Sequence, residues 1–125
     1  MRPPLATDIR FIYECFEDWP PHPVRGIVTL EKVDLWVRRW INRDDESAMV
    51  WDDIGVMHYR MGPMSAVIDG IAVHPSKRRM GHSKDMRVEL KQHLFEQSIV
   101  VATFKTLEGP MRDQYGEYGT ESAWI

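Results

Sequence analysis

The sequence predicts an α/β (α+β) sandwich in which helices cover a mixed sheet. Three observations carry that expectation. Two amphipathic stretches with helical spacing open the chain, short β-rich runs separated by turn residues follow them, and a further helical pattern divides the third of these runs from a fourth. The order reads helix, helix, three strands, helix, strand, helix, strand.

The first helix runs from about Asp8 to Asp18, capped by Thr7 or Asp8, with Ile9, Ile12, Cys15, Phe16 and Trp19 on one face. The three prolines between Trp19 and Gly26 end it. The second runs from about Leu30 to Ile41, with Thr29 as cap and Leu30, Val33, Trp36, Val37, Trp40 and Ile41 as its apolar stripe. Asn42 to Glu46 is a charged break. Ala48–Trp51, a turn at Asp52-Asp53 and Ile54–Met61 read as a hairpin, and Gly62-Pro63 leads into a long strand from Met64 to Val73. A basic loop, His74 to Met80, precedes a helix from Gly81 to about Gln97, on which His93 reads as a core histidine. Ile99 to Phe104 reads as a buried strand. Gly109-Pro110 opens a short helix to about Tyr118, Gly119 stops it, and Ser122 to Ile125 makes a last strand.

At 125 residues the chain is expected to form one domain, 1–125. Apolar residues at 43% against 28% charged exclude disorder. A net charge of −3 excludes a wholesale electrostatic grip on nucleic acid, leaving only a local basic patch. The single cysteine, Cys15, allows no internal disulfide, which points to a reducing compartment, and its place on the apolar helix face predicts packing rather than catalysis. No run of 18 apolar residues occurs and Met1-Arg2-Pro3-Pro4 is no signal peptide, so a soluble, cytoplasmic protein is expected. The five histidines lack ligand spacing, so no metal site is expected.

The most informative stretch is Val73-His74-Pro75 followed by Arg78-Arg79-Met80-Gly81-His82-Ser83 and a helix. A loop feeding a helix N-terminus offers unpaired N–H groups and a positive dipole end, which suits phosphate. Six basic and two acidic residues lie between Lys77 and Lys91. Charge alone leaves two readings open, a phosphate cradle and a solvated basic helix face.

Arg78-x-x-Gly81-x-Ser83 resembles the acetyl-CoA motif of the GNAT superfamily of N-acetyltransferases. The helix-helix-strand-strand-strand order, the opening Arg2-Pro3-x-x-Ala6-Thr7-x-Ile9 and the segment Tyr115-Gly-Glu-Tyr-Gly119 are similar to that family as well. Ser83 stands where Gly or Ala is usual, Glu108 where Asn is frequent and Thr120 where an aromatic is common. With room for one terminal strand instead of two, the chain resembles a trimmed member. The resemblance implies a mostly antiparallel GNAT sheet and transfer of an acetyl group from acetyl-CoA to a primary amine, on a protein or a small molecule. It implies that Ile71, Ala72 and Val73 pair with the pantetheine arm. The N–H groups of Arg79, Met80, Gly81, His82 and Ser83 would hold the pyrophosphate, with side-chain charge from Lys77, Arg78, Arg79 and Lys84. It implies Asp69 as general base and Tyr115 as general acid. A homodimer covering the last strand's edge or the surface near Trp124 is expected. Two other readings stand beside the enzyme: a catalytically silent GNAT-fold protein that binds and modulates another macromolecule, and a nucleic-acid-binding domain using residues 77–91.

Overall fold

The computed structural model describes residues 1–19, 21, 26–44, 46–107 and 118–124, with the backbone alone for 104–107 and 118–124. Among the described residues five strands form one sheet in chain order: β1 (Glu46–Trp51), β2 (Gly55–Met61), β3 (Ser65–Val73), β4 (Val101–Leu107) and β5 (Tyr118–Trp124). Neighbours are antiparallel except β3 and β4, which run parallel because a crossover helix, α3 (His82–Glu96), joins them. Helices α1 (Ile9–Phe16) and α2 (Leu30–Asn42) cover the opposite face.

The sheet faces separate two cores. Met57, Ile68, Met86, Leu90 and Leu94 pack under α3, while Ile12, Cys15, Val33, Val37, Val50 and Val56 pack under α1 and α2. Trp51 ties β1 to α3 by donating its indole N–H to Glu89 at 2.7 Å. The Trp36 and Trp40 stripe packs inward as expected, Trp40 buried and Trp36 partly so. Cys15 is fully buried, and desolvation pushes its thiol up to about 12.

The parity of β3 changes part-way along. Tyr59 lies opposite Ile68 and His58 opposite Gly70, so Asp69 is an extra residue, a β-bulge. Before it Ala66 and Ile68 face α3; after it Ile71 and Val73 do, and Ala72 joins the core under α1 and α2. One inserted residue moves every later side chain to the other face.

Several boundaries differ from the sequence reading. Helix α1 stops at Phe16, where Trp19 N–H closes a turn onto the Phe16 carbonyl at 2.9 Å. Thr29 caps α2 as expected, accepting from Lys32 N–H at 3.2 Å. Strand β1 starts at Glu46, inside the expected break, because Glu46 pairs with Arg60 across the hairpin. Ile99 is buried but precedes β4, its N–H still held by the Leu94 carbonyl at 3.0 Å. His93 is half-buried and bonds Gln97 at 2.8 Å instead of sitting in the core. The expected helix at 109–118 falls largely outside the described residues. Its last residue, Tyr118, and its stop, Gly119, belong to β5, since β4 runs on to Leu107 and offers them ladder partners.

Asp8 does not cap α1 with its carboxylate. The carboxylate accepts from Leu5 N–H at 2.7 Å and from the Arg2 guanidinium at 2.7 and 2.8 Å, while Arg2 also reaches Asp52. Those Arg2 bonds hold the Asp8 carboxyl below the usual carboxylate range. A carboxylate depressed in this way stabilises the fold at neutral pH and loses that contribution as pH falls through its lowered value. Asp8→Asn is therefore expected to cost about 1–3 kcal/mol at pH 7, with the difference shrinking in acid. Urea melts of both proteins across the acid range check it.

Candidate active site

Strands β3 and β4 pair only from Ser65↔Val101 to Ile68↔Phe104, yet both continue, β3 to Val73 and β4 to Leu107. They splay. From Asp69 onward β3 is held on its β2 side, through Gly70↔His58, Ile71↔Met57, Ala72↔Val56 and Val73↔Gly55, while among the described residues its β4 side carries no ladder. An extended, peptide-like arm has a row of backbone donors and acceptors to pair with along that edge. Gly55 lets β2 approach β3 closely here, because a Cβ on it would lie 2.4 Å from the Ala72 carbonyl oxygen.

The open edge leads into the loop before α3. His74 accepts from Ser76 N–H at 3.2 Å and stacks on Phe11 with ring centroids 5.5 Å apart, fixing the start of the loop. Arg79 and Gly81 both have positive φ, +64° and +81°, and the second of these turns the chain into the helix. The first helical bond, Asp85 N–H to the Gly81 carbonyl, is 3.4 Å long, so the N–H groups of His82, Ser83 and Lys84 lie ahead of it with no partner inside the helix. A Cβ at Gly81 would meet nothing within 4 Å, which leaves open space at the turn itself. Arg79, Met80, Gly81, Ser83 and Lys84 are exposed and His82 is half-buried.

The Arg78 side chain has a different place from the one a phosphate ligand would have. Its guanidinium donates to the Val73 carbonyl at 2.9 Å, to the Cys15 carbonyl at 3.1 Å and to both carboxylate oxygens of Asp18. It is a strut from the end of β3 to the end of α1, and it holds the Asp18 carboxyl below its usual range. Among the expected phosphate-side charges, Lys84 and Arg79 remain at the surface of the loop.

Asp69 opens onto a cavity of about 350 Å³ between α2 and the sheet, lined also by Trp36, Arg39, Trp40, Glu46, His58, Tyr59 and Arg60. Arg60 grips the Asp69 carboxylate with two bonds, 2.6 and 3.1 Å. His58 lies flat on Trp40, ring centroids 5.1 Å apart, and over Gly70, where a Cβ would be 2.3 Å from its Nε2. The bulge therefore places Asp69 at the mouth of the splay, with a histidine and an arginine of β2 beside it.

The comparisons agree with this geometry. A mutant of the spermidine N-acetyltransferase SpeG from Vibrio cholerae superposes with a TM-score of 0.78 at 13% identity, covering 98% of this chain and 91% of that one. An acetyltransferase from Thermus thermophilus superposes at 0.75 with 10% identity, over 99% and 95% of the two chains. A Desulfovibrio desulfuricans protein described as an acetyltransferase of the GNAT family superposes at 0.65 with 14% identity, over 84% and 71%. The chain has the GNAT fold. No family model matches the sequence and no curated protein matches it, so the likeness is one of architecture.

Within that GNAT fold the structure brings Asp69, Ile71, Ala72, Val73 and the Arg78–Lys84 loop along one path from the splay to the α3 N-terminus. Tyr115 lies outside the described residues. The cavity residues Arg39 and Arg60 were not singled out from the sequence. Glu46 was read only as part of the acidic stretch Asp44-Asp45-Glu46, a solvated turn that could favour a cationic acceptor, and His58 only as one of five histidines without ligand spacing. The signal available there was Gly70, a glycine within a β-branched strand that marks a close approach, in this case of His58. Among the described residues no three His, Cys, Asp or Glu side chains gather as metal ligands, and no helix is long and apolar enough to cross a membrane.

Proposed function

We propose that the chain is an acetyl-CoA-dependent N-acetyltransferase that acts on a primary amine in the cytoplasm. The observation that carries the reading is the splay: among the described residues the β4 ladder ends at Ile68, and the β3 edge beyond it runs toward the α3 N–H groups that have no partner inside the helix. Those residues fit acetyl-CoA, whose pantetheine amides need a strand edge and whose diphosphate needs donors and a positive dipole end. Ile71, Ala72 and Val73 would bind the arm, and the N–H groups of Arg79, Met80, Gly81, His82 and Ser83 the diphosphate, with Lys84 adding charge. Acetyl-CoA supplies the thioester carbonyl that the amine attacks. Asp69 would take the proton that the amine loses, directly or through water. A carboxylate has about four lone-pair sites and Arg60 occupies two of them. Tyr115 would give a proton to the departing sulfur, so that the protons balance across the transfer.

One observation favours the second reading, a GNAT-shaped binding protein without turnover. A carboxylate gripped at both oxygens by a guanidinium is a weaker proton acceptor than one in water. The assay that separates the readings is intact-mass analysis of amine-bearing proteins, with small amines in parallel, incubated with the protein and acetyl-CoA. A mass gain of one acetyl group above background supports the enzyme. Binding of acetyl-CoA with no transfer supports the binding module.

We further propose that a second copy covers the outer edge of β5, which ends the sheet. Light scattering at about 100 μM, well above the dissociation constant of any useful dimer, is expected to give twice the chain mass.

A further inference from the structure

The cavity beside Asp69 carries its charges in an order that selects an acceptor, an inference that rests on the acyl-transfer reading above. Glu46 of β1 and Arg60 of β2 are register partners. Arg39 of α2 bonds Glu46 at 2.9 Å, and Arg60 bonds Asp69 of β3 at 2.6 Å. The signs therefore alternate along Arg39, Glu46, Arg60 and Asp69. Depth alternates with them. The two carboxylate side chains are 18% and 14% exposed, whereas the two guanidinium side chains are 52% and 51% exposed.

A solute entering the cavity meets guanidinium groups first and carboxylates underneath. Arg39 gives one N–H bond to Glu46 and Arg60 gives two to Asp69 among the described residues. Each guanidinium has five N–H donors, so both keep donors for a further anion. A polyamine or a lysine tail brings only positive charge to this entrance. It would be repelled at the mouth, with no carboxylate of its own for the guanidinium groups to hold. The indoles of Trp36 and Trp40, 6.5 Å apart, line the same cavity and supply an apolar face.

We propose that the acceptor is a small zwitterion, a free amino acid with an apolar, preferably aromatic, side chain. Its amine would be directed at Asp69 beside the splay, its carboxylate at the exposed faces of Arg60 and Arg39, and its side chain at Trp36 and Trp40. A cavity of about 350 Å³ lies at the small end of ligand pockets and has room for a molecule of that size.

The test compares matched amines that differ only in the carboxylate: phenylalanine against 2-phenylethylamine and tryptophan against tryptamine, with spermidine as a third class, all at saturating acetyl-CoA. The expected kcat/KM is about tenfold to a hundredfold higher for the amino acid of each pair, the range of one charge-assisted contact, with spermidine lowest. Arg39→Gln is expected to move both ratios toward one. Equal or better rates with the decarboxylated amines or with spermidine overturn the inference and leave the acetyltransferase reading standing. Acetylation of none of the five overturns it too, and the acetyl-CoA melting shift then tells whether the parent reading falls with it.

Discussion

Tyr115→Phe is expected to lower turnover by about 10²–10⁴-fold, the share of a general acid, while leaving acetyl-CoA binding nearly unchanged. The substitution removes one hydroxyl and keeps the ring. Tyr115 stands three residues ahead of Tyr118, whose backbone pairs with Leu107 at the far end of β4, the strand that diverges from β3. A general acid protonates the sulfur as the C–S bond of the tetrahedral intermediate breaks and the amide forms, so the loss should fall on kcat. Single-turnover rates of both proteins, with binding followed by thermal shift, check it. Unchanged turnover removes Tyr115 from the chemistry.

Asp69→Asn is expected to cost about 10²-fold or more in rate and to flatten the rise of rate with pH. The ammonium form of the acceptor is no nucleophile, so transfer depends on a base that takes its proton, and that base shapes the dependence of rate on pH. Asparagine keeps the shape of the bulge but offers no charge to accept the proton. It also leaves the Arg60 guanidinium facing a neutral amide, where a bidentate ion pair stood before. The pH–rate profile distinguishes the two consequences: a lost base changes its shape, whereas a repositioned Arg60 lowers it at every pH.

Much of the fold was legible. The stripe from Val33 to Trp40, the Thr29 cap and the two β-rich runs around Asp52-Asp53 are local signals, and each element formed within a few residues of its expected place. Gly81 was legible too, since a glycine ahead of a helix marks the left-handed turn found there. The bulge at Asp69 was not. Both faces of β3 are covered, so the residues on either side of Asp69-Gly70 are apolar at every position and no apolar-polar alternation is there to show the shift of parity. The strut made by Arg78 was equally hidden, because its partners, Cys15 on α1 and Asp18 just beyond it, lie some sixty residues away. Arg39, Glu46, Arg60 and Asp69 come from four different elements, and only the register of β1, β2 and β3 places them in one line. The strand at Tyr118 and Gly119 was missed since a Gly-rich segment carries a stop signal for a helix, and only the long partner edge of β4 makes it a strand.

The central claim is that the splay and the α3 N-terminus form an acetyl-CoA site, and a thermal melt with and without acetyl-CoA tests it most directly. At a hundred times its dissociation constant the ligand should add about 2.7 kcal/mol, a rise of several degrees for a domain of this size. Gly81→Val should melt lower without ligand, since a left-handed residue costs roughly 1–2 kcal/mol, and its side chain would fill the open space at the turn that leads into α3. The ligand-induced rise should vanish in that variant and persist in the wild type. A wild-type protein whose melting point does not move at millimolar acetyl-CoA or CoA contradicts the claim.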